Sequence, residues 1–234
     1  MPTLYLIPTP IAEETTDQIP IAVVETIRQL DCFVVEKLRT ARRFIRSVIK
    51  DFDIDGADFI ELDKRNPQQS HMMIKELVTA GRSFGLMSEA GLPCIADPGH
   101  EVVNQARGSN YKIVPITGPS SIFMALMASG LNGQEFSFHG YLPIKEPALI
   151  KKLKVLQENT SKTGYTQIFI ETPYRNQKLF EKMISTFQSS MRLCIAQDIS
   201  GSEEYIDTKT IVNWRKEKDL ELKKAPCIFL INTW

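Results

Sequence analysis

An α/β fold is predicted for this chain, on three observations. Short apolar runs alternate with amphipathic segments along its length, the sequence sign of βαβ units. Two of those runs, Phe84 to Met87 and Tyr111 to Ile116, stop abruptly in turns rich in Gly, Pro and hydroxyl side chains, as strands do where α/β folds build their sites. After Gly118 the character changes, and the second half opens on a helix apolar on nearly every side. The boundary is therefore expected close to Ile116, with one α/β domain at 1–116 and a second at 117–234.

The elements follow in order. Leu4 to Ile7 opens as a strand. Ile19, Val23, Thr26, Ile27 and Leu30 recur at helical spacing, and Cys32 to Val35 is the next strand. A helix from Thr40 to Lys50 turns Leu38, Ala41, Ile45, Val48 and Ile49 toward a core and leaves Arg39, Arg42, Arg43, Arg46 and Lys50 on its other side. That basic stripe either meets an anionic partner or is a solvated face balanced by the acidic run Asp51 to Asp63. Phe59 to Leu62 precedes a helix from Pro67 to Ala80, with Asn66 as its cap and Gly81 as its stop.

Phe84 to Met87 then delivers the loop Ser88-Glu-Ala-Gly91, in which small residues let the backbone turn tightly and leave N–H groups open to a ligand. Tyr111 to Ile116 delivers the second, Thr117-Gly-Pro-Ser-Ser121, with Pro in the first helical turn and hydroxyls beside free amides. The helix Pro119 to Ser129 is expected to be buried between layers. Strands are expected at Phe136 to Gly140, Gln167 to Glu171, Leu193 to Gln197 and Cys227 to Asn232, and helices near Ala148 to Glu158, Asn176 to Phe187 and Thr210 to Lys218. No internal repeat is apparent.

Composition narrows the function classes. Twenty-eight basic and 28 acidic residues cancel, so no global charge draws the chain to nucleic acid. Cys32, Cys94, Cys194 and Cys227 lie far apart in apolar surroundings, without the paired spacing of zinc or redox motifs, and read as reduced thiols of a cytosolic protein. Neither a signal peptide nor a membrane span is expected. Asp51-x-Asp53-x-Asp55-Gly56 imitates half a calcium loop, but position twelve is Leu62, so no metal is expected. No phosphate-binding loop of the Walker type, nucleophile elbow or dinucleotide fingerprint occurs. His71, His100 and His139 lack metal spacing, His71 being expected to face solvent.

Taken together, Leu4-Tyr-Leu-Ile-Pro-Thr-Pro-Ile11, Gly85 to Gly99, Thr117 to Ser121 and Phe138-His-Gly-Tyr-Leu-Pro143 resemble, in order, the tetrapyrrole methylase superfamily of S-adenosyl-L-methionine-dependent methyltransferases. Within it they are most similar to the branch that methylates a ribose 2′-hydroxyl of small-subunit ribosomal RNA. The resemblance implies two α/β domains with the cofactor in the interdomain cleft, usually in a cytoplasmic homodimer, and an RNA or small-subunit ribosomal particle as partner. It also implies that Pro8 borders the cofactor site, that Ser88, Ala90 and Gly91 line it beside Glu89, that Ala96 and Asp97 approach the methionine end, and that Gly118, Pro119, Ser120 and Ser121 meet the nucleoside. Methyl transfer is an in-line displacement, so such an enzyme must chiefly place donor and acceptor in contact and exclude water.

A ribose hydroxyl benefits from a general base. Glu36, in Val34-Val-Glu-Lys-Leu-Arg39, matches the first residue of the family's Glu-Asp-Thr-Arg segment and Arg39 matches its last, whereas Lys37 and Leu38 between them do not carry over. Glu89 replaces the more usual Asp of Ser-Asp-Ala-Gly. Either carboxylate could serve, or each could simply pair with a neighbouring Arg or Lys. Glu171-Thr-Pro-Tyr-Arg175 resembles the family's Glu-Ser-x-His-Arg, so Arg175 either grips an anion or caps a carboxylate inside the fold. Arg39 and Arg42 are the candidate substrate-binding cations of the stripe. Gln197 and Gly201 stand where the ribosomal RNA branch has cations, which weakens the expected phosphate contacts. Two alternatives stay open: carbon methylation of a tetrapyrrole precursor, and a cofactor-binding relative without chemistry.

Overall fold

The structure, a computed structural model, describes residues 1–12, 15–62, 67–217 and 219–233. The chain divides into two compact units, Met1–Ser120 and Ser121–Trp234.

In the first unit, strands β1 (Thr3–Ile7), β2 (Cys32–Val35), β3 (Asp58–Glu61), β4 (Phe84–Met87) and β5 (Lys112–Pro115) form one parallel sheet in the order β3-β2-β4-β1-β5. Helices α1 (Ile21–Arg28), α2 (Leu38–Val48), α3 (Pro67–Thr79) and α4 (His100–Gly108) make the connections. The chain steps across the sheet in one direction through α1 and α2, and back through α3 and α4. Crossovers of one hand that move in opposite directions put their helices on opposite faces. The core obeys this: Ile7, Phe33, Val35 and Met87 pack under α1 and α2, while Leu4, Val34, Phe84 and Leu86 pack under α3 and α4. Both faces are thus covered at the centre of the sheet, where β2 and β4 are buried at every residue and run as continuous apolar segments, whereas the edge strands β3 and β5 carry charged residues at exposed positions.

The second unit is mixed. Strands β6 (Phe136–Tyr141), β7 (Thr166–Glu171), β8 (Arg192–Gln197), β9 (Tyr205–Thr210) and β10 (Cys227–Asn232) run in the order β6-β7-β10-β8-β9, with only β6 and β7 parallel. Helices α6 (Glu146–Thr163), α7 (Asn176–Thr186) and the short α8 (Ile211–Trp214) cover one face through Leu153, Phe180 and Trp214. The Trp214 indole N–H donates to the Leu193 carbonyl at 2.8 Å, so its one polar group is satisfied inside the core. Helix α5 (Ser121–Ser129) packs on the other face, against β8, β9 and β10.

Three expectations change. Helix α5 is not buried on every side: Ile122, Ala125 and Leu126 face the sheet, but Phe123 and Met127 are exposed, since one sheet covers only one face of it. The helix expected from Thr210 to Lys218 is the short α8: Thr210 belongs to β9, an edge strand whose residues are all half-buried and so lack a clear apolar alternation, and the helix stops at Trp214, while Lys218 lies outside the described residues. Helix α4 was not expected, since only Val102 and Ala106 are buried on it and two apolar positions make no visible period. The expected cap Asn66 lies outside the described residues.

Candidate active site

In a parallel sheet, ligands sit beyond the carboxyl ends of the strands where the connections diverge. Here that point lies between β4 and β1, whose connections leave in opposite directions, and the loops after both strands are joined there. Thr9 N–H donates to Gly91 O at 2.9 Å, and Gly91 N–H returns a bond to Thr9 O at 3.1 Å. Gly91 has φ +76°, and a side chain there would press on Ile11 and on the Pro119 carbonyl. The loop after β5 arrives at the same place: a Cβ on Gly118 would collide with the Pro8 ring, so only glycine lets those two backbones meet.

The structure therefore brings Pro8, Ser88, Ala90, Gly91, Gly118 and Pro119 together within the first unit, where Pro8 and Ser88 are buried and Ala90 is exposed. Ala96 and Asp97 lie farther along the same connection, with Ala96 exposed in the left-handed region at φ +63°. A non-glycine residue held there stores strain, a feature that collects at functional sites. Ser120 ends the first unit and Ser121 opens α5 in the second.

The two candidate bases also meet. Glu36 follows β2, its N–H bonded to Met87 O, and its Oε2 accepts from the Glu89 N–H at 3.3 Å. Glu89 in turn holds Lys37 Nζ at 2.7 Å on one oxygen and accepts from the Thr40 hydroxyl at 3.3 Å on the other. Sequence reasoning set Lys37 aside as a departure from the family segment. The structure joins it to the other departure in these loops: the unusual cation pairs with the lengthened acid. A reversed charge at one position beside a longer carboxylate at another was the available signal.

The basic stripe separates into roles. Arg42 pairs with Asp55 and lies over the Phe59 ring at 5.7 Å, and Arg46 reaches Asp55 at 3.8 Å. Arg39 is exposed. Arg43, one residue beyond Arg42, lines a cavity with Thr40, Phe44 and Ser47. In the second unit Arg175 sits 2.8 Å from Glu171, a fully buried carboxylate that also accepts from the Thr172 N–H. Gln197 is buried, exchanging bonds of 2.6 and 3.0 Å with the Lys223 backbone, so its amide serves the fold of that unit. The aspartates of the calcium-like run are engaged by Arg28, by the Gly56 amide and by Arg42.

A family model for tetrapyrrole (corrin/porphyrin) methylases matches residues 3–211. The chain belongs to this family. As a tetrapyrrole methylase it is a methyltransferase. It is 30% identical over 234 residues to the ribosomal RNA small subunit methyltransferase I of Vibrio cholerae, covering 99% of this chain and 77% of that protein. The protein of the same name from Buchnera aphidicola is 30% identical over 233 residues, covering 98% of this chain and 78% of its own length. Among solved structures, the methyltransferase CobJ superposes with a TM-score of 0.65 at 15% identity, covering 99% of this chain and 94% of that one, a likeness of fold. Among the described residues no helix is long and apolar enough to cross a membrane.

Proposed function

We propose that this tetrapyrrole methylase transfers a methyl group from S-adenosyl-L-methionine to a ribose 2′-hydroxyl of small-subunit ribosomal RNA, acting as a homodimer in the cytoplasm. The observation that carries the reading is the match along nearly the whole chain to methyltransferases named for that RNA, in a protein whose three loops converge at the carboxyl edge of β4, β1 and β5. When bound, the cofactor supplies an electrophilic methyl group on a sulfonium. The residues of these loops suit such a group: Pro8 to Ala12, Ser88 to Gly91, Ala96, Asp97 and Thr117 to Ser121 include no Lys, Arg or His to repel a positive sulfur, while Asp97 offers a carboxylate to an amino group and Ser120 and Ser121 offer hydroxyls.

Pro8, Ser88, Ala90, Gly91, Gly118 and Pro119 hold and orient the donor, and their backbone bonds set its depth. Glu36 or Glu89 takes the proton that the acceptor hydroxyl loses. Arg39 contacts RNA phosphate, whereas Arg42 and Arg175 answer carboxylates of the fold and fix the elements beside the site. The test is tritium transfer from labelled S-adenosyl-L-methionine to undermethylated 30S subunits, with a porphyrin precursor in parallel. Label in the RNA, resistant to alkaline cleavage at one ribose, is the expected result. Label in the precursor, or none in either, refutes the reading.

A further inference from the structure

The loop that carries Glu89 also walls a cavity of about 550 Å³, open to solvent on one side, whose other walls are Thr9 to Ala12 after β1, Thr16 and one face of α2. Pockets for small molecules run ~300–1,000 Å³. On α2 the wall is made by Thr40, Ala41, Arg43, Phe44 and Ser47, of which Thr40, Arg43, Phe44 and Ser47 fall at the spacing i, i+3, i+4, i+7 of one helical face. That face is unusual for a helix packed on a sheet. Beside the buried ring of Phe44 it presents two hydroxyls and a guanidinium, and the Thr40 hydroxyl already touches Glu89.

Charge decides what belongs there. The converging loops hold no cation, as a sulfonium requires, while the cavity has Arg43 in its wall and Lys37 on Glu89 beside it. A phosphate group favours the second environment and a sulfonium the first. An aromatic wall, hydroxyl partners, a carboxylate and a cation together match one nucleotide: base against Phe44 and Ile11, ribose at Thr40 and Glu89, phosphate at Arg43. Recognition of an unstacked nucleotide by a ring, hydrogen bonds and a phosphate contact is the usual mode for single-stranded RNA.

We propose that this cavity takes the acceptor nucleotide, drawn out of its RNA, and that Arg43 is the residue that anchors its phosphate. The inference rests on the RNA reading above and names the place where that substrate enters. Thr9 to Ala12 and Ser88 to Ala90 are shared between the cavity and the converging loops, so a ribose there lies next to the donor, as a displacement needs.

The experiment compares the wild type with Arg43→Glu, Arg43→Lys and Ser47→Tyr, substitutions at exposed positions of α2 that leave its buried face intact. Losing a charge-assisted phosphate contact raises KM for undermethylated 30S subunits by about tenfold or more in Arg43→Glu, with partial recovery in Arg43→Lys. Ser47→Tyr fills the cavity and weakens 30S binding, while calorimetry shows wild-type affinity for S-adenosyl-L-methionine in all three, which also reports that they fold. Parallel loss of cofactor affinity would assign the cavity to the donor and overturn the proposal. So would an unchanged KM in both Arg43→Glu and Ser47→Tyr. If the wild type transfers nothing to 30S subunits, the functional reading fails separately, and filter binding of labelled subunits still judges the cavity: equal retention by wild type and Arg43→Glu overturns it, weaker retention by the variant supports it.

Discussion

Gly91 is the point at which the loop after β4 is locked to the loop after β1, and two substitutions there separate the needs of the fold from those of the ligand. In Gly91→Ala the residue must hold φ +76°, which for an L-residue costs ~1–2 kcal/mol. The new methyl would meet Ile11 Cγ2 at 3.1 Å and Pro119 O at 3.4 Å; the second is ordinary contact, while the first is tight and requires the β-branched Ile11 to give by a few tenths of an ångström, which keeps the loss toward the upper end of that range. The backbone bonds to Thr9 involve no side chain and persist. A net loss of about 1–2 kcal/mol lowers the melting temperature by roughly 2–8 °C, while the donor site keeps its shape. Gly91→Trp carries the same backbone cost but must seat an indole against Ile11 and the Pro119 carbonyl, where the donor is proposed to lie. Circular dichroism should find it folded, and calorimetry should find no S-adenosyl-L-methionine binding. Unchanged cofactor affinity in Gly91→Trp would refute the placement of that loop in the donor site.

Other outcomes follow from single observations. Lys37 and Glu89 are 62% and 34% exposed, so their ion pair contributes at most about 1 kcal/mol, and a double-mutant cycle of Lys37→Ala with Glu89→Gln should return a coupling no larger in chemical denaturation; a larger value would mean that the pair is buried in solution. Burial holds the His139 imidazole below its usual range, with Lys152 adding to the effect and the Gln167 hydrogen bond opposing it. The unfolded chain then binds the extra proton first, so this contribution to stability is complete above the unfolded value of about 6.5 and is lost as pH falls through the lower folded one. His139→Gln should flatten that acid slope in thermal melts, and an identical slope would show that other groups set it. Burial pushes the Cys32 and Cys194 thiols up to about 11 and raises Cys227 further, while Cys94 is only half-buried. Iodoacetamide at pH 8 should label Cys94 first, with the other three reacting only on unfolding; mass spectrometry that finds Cys32 labelled as fast would contradict the packing of β2.

What the sequence makes legible follows from how each signal arises. Cys32–Val35, Phe84–Met87 and Cys227–Asn232 have the bounds expected of them because a strand buried on both faces must be apolar throughout and stops where polarity begins. The edge strand β9 and the lightly buried α4 carry no such mark. At the site, the loops were visible because Gly91 and Gly118 answer constraints of backbone geometry that few other residues can meet. The partners of charged side chains were not visible. Arg42 and Arg43 are equivalent in composition and differ only by the turn between neighbours on α2, which sends one to Asp55 and the other to the wall of the cavity. Lys37 looked like a lost match until the fold set it against Glu89.

The sheet order gives these scattered choices a common cause. Loop Ser88–Gly91 follows β4, whose neighbours in the sheet are β2 and β1. On the β2 flank stand Glu36 and Lys37, leading into the hydroxyls and cation of α2; on the β1 flank stand Pro8 to Ala12, which carry no charge and face the α2 cation only across the cavity, and beyond them the loop after β5 with Gly118. A transfer between a cationic donor and an anionic polymer needs the two brought close along one line while each is held by groups of the opposite or neutral character. One strand end with charged groups on one side and uncharged turns on the other meets that need without moving either element. The same arrangement predicts how exchange of the two charges behaves: Lys37→Glu with Glu89→Lys keeps an ion pair and the fold but puts a cation on the loop that faces the donor, so S-adenosyl-L-methionine affinity should fall while the melting temperature holds. Equal cofactor affinity in that double variant would show that charge at position 89 is not sensed by the donor, and the division of the β4 loop into two electrostatic sides would have to be abandoned.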